Sequence, residues 1–342
     1  MKDNTKKDRF GIIEYDQADP LRWDGFVFEN RYGFVYYRYE YLRADQKEDT
    51  INKSFVVIDH ATNHILALCP LFFRIVDEKI TDVYCRNGIL VKDDLGNNLR
   101  SKLANFTITY LNSCLEESGN KTLEAEIPAL AILDHDHLRV NPLIHFGFKP
   151  GIRYTWITCI RDDPEILLSK FEPSTRADIR KLDQGNEFCF EEILDADQTQ
   201  KDRFGDLLSL CKETYSRNHA SARSDDYYRN IYYNLDEDYR RIFFLRNKED
   251  DKAVAAAVFF IYRNKAHYDI GASITHKVRG TGKLLIYKSF LKLRDSGIDY
   301  VEMGGAYPYL PMSNKKRGIS DFKKSFGCTL YPMLLGEFMG QV

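Results

Sequence analysis

The sequence is marked first by what it lacks. No stretch approaches the ~18 consecutive apolar residues of a membrane-spanning helix. The N-terminal MKDNTKKDRF is charged and has no apolar signal core. Seven cysteines are scattered along the chain and none forms a C-x-x-C pair, which fits reduced thiols in the cytosol. A soluble, cytoplasmic protein is therefore expected. There is no Gly-x-Ser-x-Gly and no workable Cys/His pairing, which argues against a covalent enzyme intermediate. The net charge is only −2, from 49 basic and 51 acidic residues, so no global field recruits nucleic acid and no DNA partner is expected.

What is present suits two domains of ordinary size: 342 residues, 44% apolar and 29% charged. The 22 tyrosines and 22 phenylalanines read as core and surface filler. Asp134-His-Asp-His137 invites a metal reading. In a strand, however, only His135 and His137 would share a face, and no third ligand stands at a motif spacing, so no metal is expected.

The chain is organised around Lys265 to Gly327. In order this stretch reads as a strand (Ala266 to Ser273), a basic glycine loop, a helix (Gly282 to Ser296), a short strand (Tyr300 to Met303), a Gly/Pro/Tyr loop and a last helix. The loop Lys277-Val278-Arg279-Gly280-Thr281-Gly282-Lys283 feeds a strand into a helix. Small residues there leave backbone N–H groups free at the helix start, where the helix dipole also attracts anions, phosphate especially. Gly280 and Gly282 permit close approach, and Lys277, Arg279 and Lys283 add positive charge. The plain alternative is a tight turn with exposed basic residues.

The order of elements occurs twice. Phe55 to Ile75 reads as strand, turn (Asp59–Asn63), strand, and Thr81 to Val91 as a third strand. Leu99 to Ser118 is a helix, and Leu123 to Glu126 a short strand stopped by Pro128. Arg241 to Tyr262, Ala266 to Ser273, the helix and Tyr300 to Met303 repeat that series. Glu117-Ser-Gly119 parallels Asp295-Ser-Gly297, and His145-Phe-Gly-Phe148 parallels Ser325-Phe-Gly-Cys328. Such parallels argue for two copies of one α/β unit. The domains are placed at residues 1–160 and 161–342, joined by a helix start at Asp163-Pro164 and a helix broken near Pro173. Where the second copy has its basic loop, the first has Lys92-Asp-Asp-Leu-Gly96, whose two acids would repel phosphate. The second domain is thus expected to bind an anionic donor, and the first to wall an acceptor cleft.

The loop resembles the pyrophosphate loop of the GNAT acyltransferases, Arg/Gln-x-x-Gly-x-Gly/Ala opening a helix, with Lys277 in the first place. The doubled unit resembles the Fem family of peptidoglycan aminoacyltransferases and its relatives. That likeness runs from Trp23-Asp-Gly-Phe26 through Ala67-Leu-Cys-Pro70-Leu71 and Arg176-Ala-Asp-Ile-Arg180-Lys181 to Phe322-Lys323-Lys-Ser-Phe326-Gly327. It implies an α/β (α+β) fold of two tandem GNAT-like lobes, each a mixed central sheet flanked by helices. It implies N-acylation of an amine, with an acyl-CoA, acetyl-CoA first among them, as co-substrate. A small-molecule or sugar-nucleotide acceptor of cell-envelope or polysaccharide synthesis follows. Ordinary GNAT enzymes carry a Tyr where this chain has Lys323. The Fem branch carries Phe-Lys there, which leaves aminoacyl-tRNA as the alternative donor. A non-catalytic binding protein on the same scaffold is the other class left open.

Transfer to an amine needs a neutral amine, a held carbonyl and a stabilised leaving group. Glu302, beside Gly304 and Gly305, is the first candidate base, and Asp269 the second. Lys323 is a cation for an oxyanion or leaving group. Tyr307 is placed with the catalytic residues as a hydroxyl source. Tyr309, His276, Arg176 and Arg180 are placed at the acceptor or its phosphate. For the tyrosines the plain reading is a loop anchor, and for the others a solvated or salt-bridged side chain.

Overall fold

The computed structural model describes residues 9–47, 49–85, 87–133, 141–194, 203–219, 223–274 and 279–340. The chain forms two compact units, 1–153 with 333–342, and 154–332.

In the first unit, β1 (Phe10–Glu14) is followed by α1 (Pro20–Glu29) and α2 (Tyr39–Asp45). Asp19 caps α1 by accepting from the Leu21 amide, with Pro20 in the first turn. Then come β2 (Thr50–Asn52), β3 (Phe55–Asp59), β4 (His64–Cys69), β5 (Leu71–Val76), β6 (Lys79–Cys85) and β7 (Leu90–Val91). Helix α3 (Asn97–Ser118), β8 (Thr122–Ile127) and the short α4 (Ala129–Ile132) complete it. One sheet runs β1-β3-β4-β7, wholly antiparallel. In the other, β2, β5, β6 and β8 lie side by side, and the chain's last strand, Thr329–Met339, pairs with β8 through Leu334–Met339. The single strand expected from Ile65 to Ile75 is two strands in two sheets. Pro70 has no N–H to give a ladder, and the chain turns there from one sheet into the other. The strand expected from Thr81 to Val91 likewise divides into β6 and β7.

The second unit takes over within β9 (Lys149–Cys159). It continues with α5 (Pro164–Ser169), α6 (Pro173–Gly185), β10 (Phe188–Ile193), α7 (Arg203–Arg217), α8 (Asp225–Arg229), β11 (Arg240–Asn247), β12 (Ala253–Tyr262) and β13 (Lys265–Ser273). Then follow α9 (Thr281–Asp295), β14 (Tyr300–Gly305), α10 (Lys315–Lys324) and β15, the Thr329–Met339 strand. The sheet order is β10-β11-β12-β13-β14-β9, antiparallel except for β13 and β14. Strand β12, AVAAAVFFIY, is buried along nearly its whole length, as a central strand covered on both faces should be.

The parallel sequences Glu117-Ser-Gly119 and Asp295-Ser-Gly297 end their helices alike. Each glycine has positive φ (67° and 85°), and its amide and the next one turn back onto carbonyls of the last turn. An aromatic knot fixes α10. Phe326 is fully buried and stands edge-on to Phe171 (5.4 Å between centroids), Phe290 (5.9 Å) and Phe322 (5.2 Å). Such pairs contribute about 0.5–1.5 kcal/mol each beyond their burial. No helix among the described residues is long and apolar enough to cross a membrane.

Candidate active site

Two features of the second unit stand out as candidates. The first is the start of α9. Gly280 precedes it with φ of 101° and no side chain caps the helix. The amides of Lys283 and Leu284 are taken up by the Gly280 carbonyl, whereas Thr281 and Gly282 lie before the first intrahelical bond. A side chain at 280 would meet Asp178 Cβ at 3.0 Å and Leu182 Cδ1 at 3.4 Å, so both the backbone and the packing of α6 demand glycine. At Gly282 a Cβ would meet nothing within 4 Å. It faces a cavity of about 430 Å³ lined by Arg279 to Lys283, the end of β13 from Gly271 to Ile274, Tyr268 and Phe322.

The second feature is a fork in the sheet. Strands β13 and β14 pair only from Lys265–Tyr300 to His267–Glu302. Beyond that point β13 runs on to Ser273 and β14 to Gly305 without further pairing to each other. Glu302 stands at the fork. It is 1% exposed, its Oε2 has no hydrogen-bond partner, and the same oxygen lies 3.6 Å from His267 Nδ1. A buried carboxylate oxygen left unpartnered is rare in native proteins and marks a site that stores cost for function. Just past it the ladder shifts register and Gly304 has φ of 83°. The Lys323 ammonium occupies the place of the missing side chain, 2.9 Å from where a Cβ on Gly304 would sit. Burial lowers the proton affinity of Lys323, and Glu302 partly restores it. Its neighbour Lys324 is exposed, as a 100° step round the helix requires.

Tyr307 folds back over Gly305, its hydroxyl 2.9 Å from that glycine's Cβ position. Its amide is held by Ser320 Oγ, which also accepts from Trp156 Nε1 at 2.9 Å. Tyr309 is 68% exposed, 6.5 Å between ring centroids from Tyr307.

Other sequence candidates are spent elsewhere. Asp269 accepts both arms of Arg223, at 3.0 and 3.1 Å, and the Tyr227 hydroxyl at 2.7 Å. With its lone pairs so occupied it fits a structural anchor and not a base. Arg176 donates to the carbonyls of Ser169 and Phe171, closing the end of α5. Arg180 is exposed on α6 near Glu165. Lys283 is held by Asp178 at 2.8 Å, so its charge is already countered. Arg279 is exposed at the loop. His276, Lys277, Val278 and the Asp134 to His137 run lie outside the described residues. Among the described residues no cluster is fit to hold a metal ion.

Sequence reasoning missed His267 and Ser320. His267 was legible in principle, since it alternates with Asp269 on a strand that ends at the loop. Ser320 carries no such signal. It matters only because α10 brings it under Trp156.

Residues 169–324 match the model of the acetyltransferase (GNAT) domain family. No curated protein matches the sequence at a significant level. Among solved structures, the chain is similar to FemX, with a TM-score of 0.70 and 16% identity over 96% of this chain and 97% of that one. It is similar to L-PGS from Bacillus licheniformis, at 0.54 and 13% over 95% and 93%. It also resembles a tandem GNAT protein from the clavulanic acid biosynthesis pathway, at 0.51 and 11% over 97% and 99%. At these identities the likeness is one of fold. Residues 169–324 are thus similar to the GNAT domain family, and the chain as a whole has a Fem-like double-GNAT fold.

Proposed function

We propose that the protein is an N-acyltransferase that moves an acyl group from an acyl-CoA, acetyl-CoA first among them, to an amine of a cell-envelope or polysaccharide precursor such as an amino sugar nucleotide. The observation that carries this reading is that one unit holds both the uncapped start of α9, opening on a cavity, and a buried Glu302 whose Oε2 has no hydrogen-bond partner, with a desolvated Lys323. The donor's diphosphate sits on the Thr281 and Gly282 amides, which lie before the first intrahelical bond of α9. In the reaction the N–C bond forms and the C–S bond breaks. Glu302 takes the proton that the amine loses, directly or through water. Lys323 steadies the oxyanion and returns a proton to the departing thiolate; a lysine with lowered proton affinity is a better acid for that step. His267, next to Glu302, orients the carboxylate. Among the sequence candidates, Tyr307 and Tyr309 remain the residues proposed for the acceptor side.

The lysine at position 323 also supports a second reading, transfer from aminoacyl-tRNA to a peptidoglycan precursor. The two readings part on the donor. Thiol release from acetyl-CoA is measured across a panel of amines, for wild type and for Glu302→Gln, which removes the base at constant shape. Amine-dependent release by wild type, cut by roughly 10²–10⁴ in the variant with coenzyme A binding intact, is expected. Equal release by both proteins overturns Glu302 as base. Failure of wild type to bind coenzyme A moves the donor to aminoacyl-tRNA.

A further inference from the structure

The first unit has a cavity of its own, about 260 Å³, which no part of the proposed reaction uses. Its walls are apolar at depth, where Ile89, Leu90, Ile127 and Phe146 are buried. Lys92, Arg100, Arg31 and Asp93 also line it. This is the region whose two acids were expected to repel anions. One of the two is already countered. Asp93 is turned onto Arg31, its two oxygens meeting that residue's amide at 2.9 Å and its guanidinium at 3.1 Å. Asp94 is not part of the lining.

Two cations are left. Among the described residues neither Lys92 nor Arg100 forms an ion pair, and the buried Arg100 Nε has no hydrogen-bond partner at all. A guanidinium with a desolvated, unpaired N–H at the wall of an apolar cavity is costly unless something completes it. An anion would do so in a bidentate or charge-assisted bond. The volume falls below the ~300 Å³ of pockets that take drug-sized molecules, so the occupant is small.

We propose that the first unit binds a compact monocarboxylate with an apolar body, such as a single aromatic ring on a short chain. The carboxylate pairs with Arg100 and Lys92, and the body fills the apolar depth. This site is separate from the donor cavity and does not depend on the acyl-transfer reading.

The chain's two tryptophans lie one in each unit and give separate signals. Trp23 Nε1 donates to the carbonyl of Tyr37, which lines the first-unit cavity. Trp156 Nε1 donates to Ser320 Oγ in the second unit. Indole N–H signals are followed by heteronuclear NMR on the full chain while 3-phenylpropionate is added, and in parallel its neutral amide. The carboxylate should move the Trp23 signal and leave Trp156 in place. The amide, and the Arg100→Met variant with carboxylate, should bind at least about tenfold more weakly, the scale of one charge-assisted hydrogen bond. Lys92→Met should weaken binding less and guards against a folding defect in the first variant. Its unshifted spectrum without ligand shows that the cavity is intact. The proposal is overturned if the carboxylate leaves Trp23 unmoved, if acid and amide bind equally, or if Arg100→Met binds like wild type.

Discussion

Gly280 and Gly282 stand two residues apart at the start of α9, and the structure assigns them opposite roles. Alanine at 280 must adopt φ of 101°, at a cost of about 1–2 kcal/mol. Its Cβ must also displace Asp178 Cβ from 3.0 Å. Gly280→Ala should therefore lower the unfolding midpoint by ~2–6 °C. Alanine at 282 meets nothing within 4 Å and sits within a helix, so it should stabilise the chain by roughly 0.4–1 kcal/mol. That methyl group, however, stands in the space where a phosphate oxygen would approach the amide. Gly282→Ala should weaken coenzyme A binding by about tenfold, equivalent to ~1.4 kcal/mol, and Gly282→Asp by more, since it adds negative charge. Thermal unfolding and isothermal titration are run on the three variants. Stability should fall with binding largely spared at 280, and binding should fall with stability spared at 282. If Gly282→Ala binds coenzyme A like wild type, the cavity in front of that residue does not hold the donor and the reasoning fails.

Three further outcomes follow. Lys323→Ala should lose roughly 10²-fold in turnover, the scale of one electrostatic stabiliser, while Lys324→Ala stays near wild type in the same assay. Lys323 also sets a pH dependence. Burial lowers its proton affinity in the folded chain, so the charge it lends is present below that lowered value and lost as pH rises through it. Turnover should fall on the alkaline side earlier than an ordinary lysine predicts, and Lys323→Arg should remove that limb. The folded state then binds fewer protons than the unfolded one in that window, so stability rises with pH there and Lys323→Met should flatten the rise in a pH series of unfolding curves. Asp269→Asn should cost about 1–3 kcal/mol in denaturant unfolding, because it removes the carboxylate charge to which Arg223 and the Tyr227 hydroxyl donate. Its turnover per folded molecule should change little, and a loss matching that of Glu302→Gln would return Asp269 to the base role.

Much of the second unit was legible because its signals are local. The β11-turn-β12 run and α9 with its glycine loop are fixed by hydrophobic period and turn residues, and their ends fall within a residue or two of expectation. Glu302 was legible as a candidate from its place in the order of elements, and Lys323 from the resemblance of the closing Phe-Lys to the Fem branch. What each side chain meets was not. That Asp269 is held by Arg223, 46 residues away, and Lys283 by Asp178, 105 away, depends on contacts that no local pattern encodes. The last strand's return to the first unit, and the division of the Ile65 to Ile75 run at Pro70, were invisible for the same reason: pairing partners are chosen by the tertiary fold. Nor does charge counted from Lys92 to Gly96 include Arg31, 62 residues away, which pairs with Asp93.

The most direct test of the central claim is a crystal structure of the chain with coenzyme A. The account predicts the diphosphate within about 3 Å of the Thr281 and Gly282 amides, and the thiol directed toward the fork that holds Glu302 and Lys323. A diphosphate bound anywhere else, or no complex at millimolar coenzyme A, would contradict it.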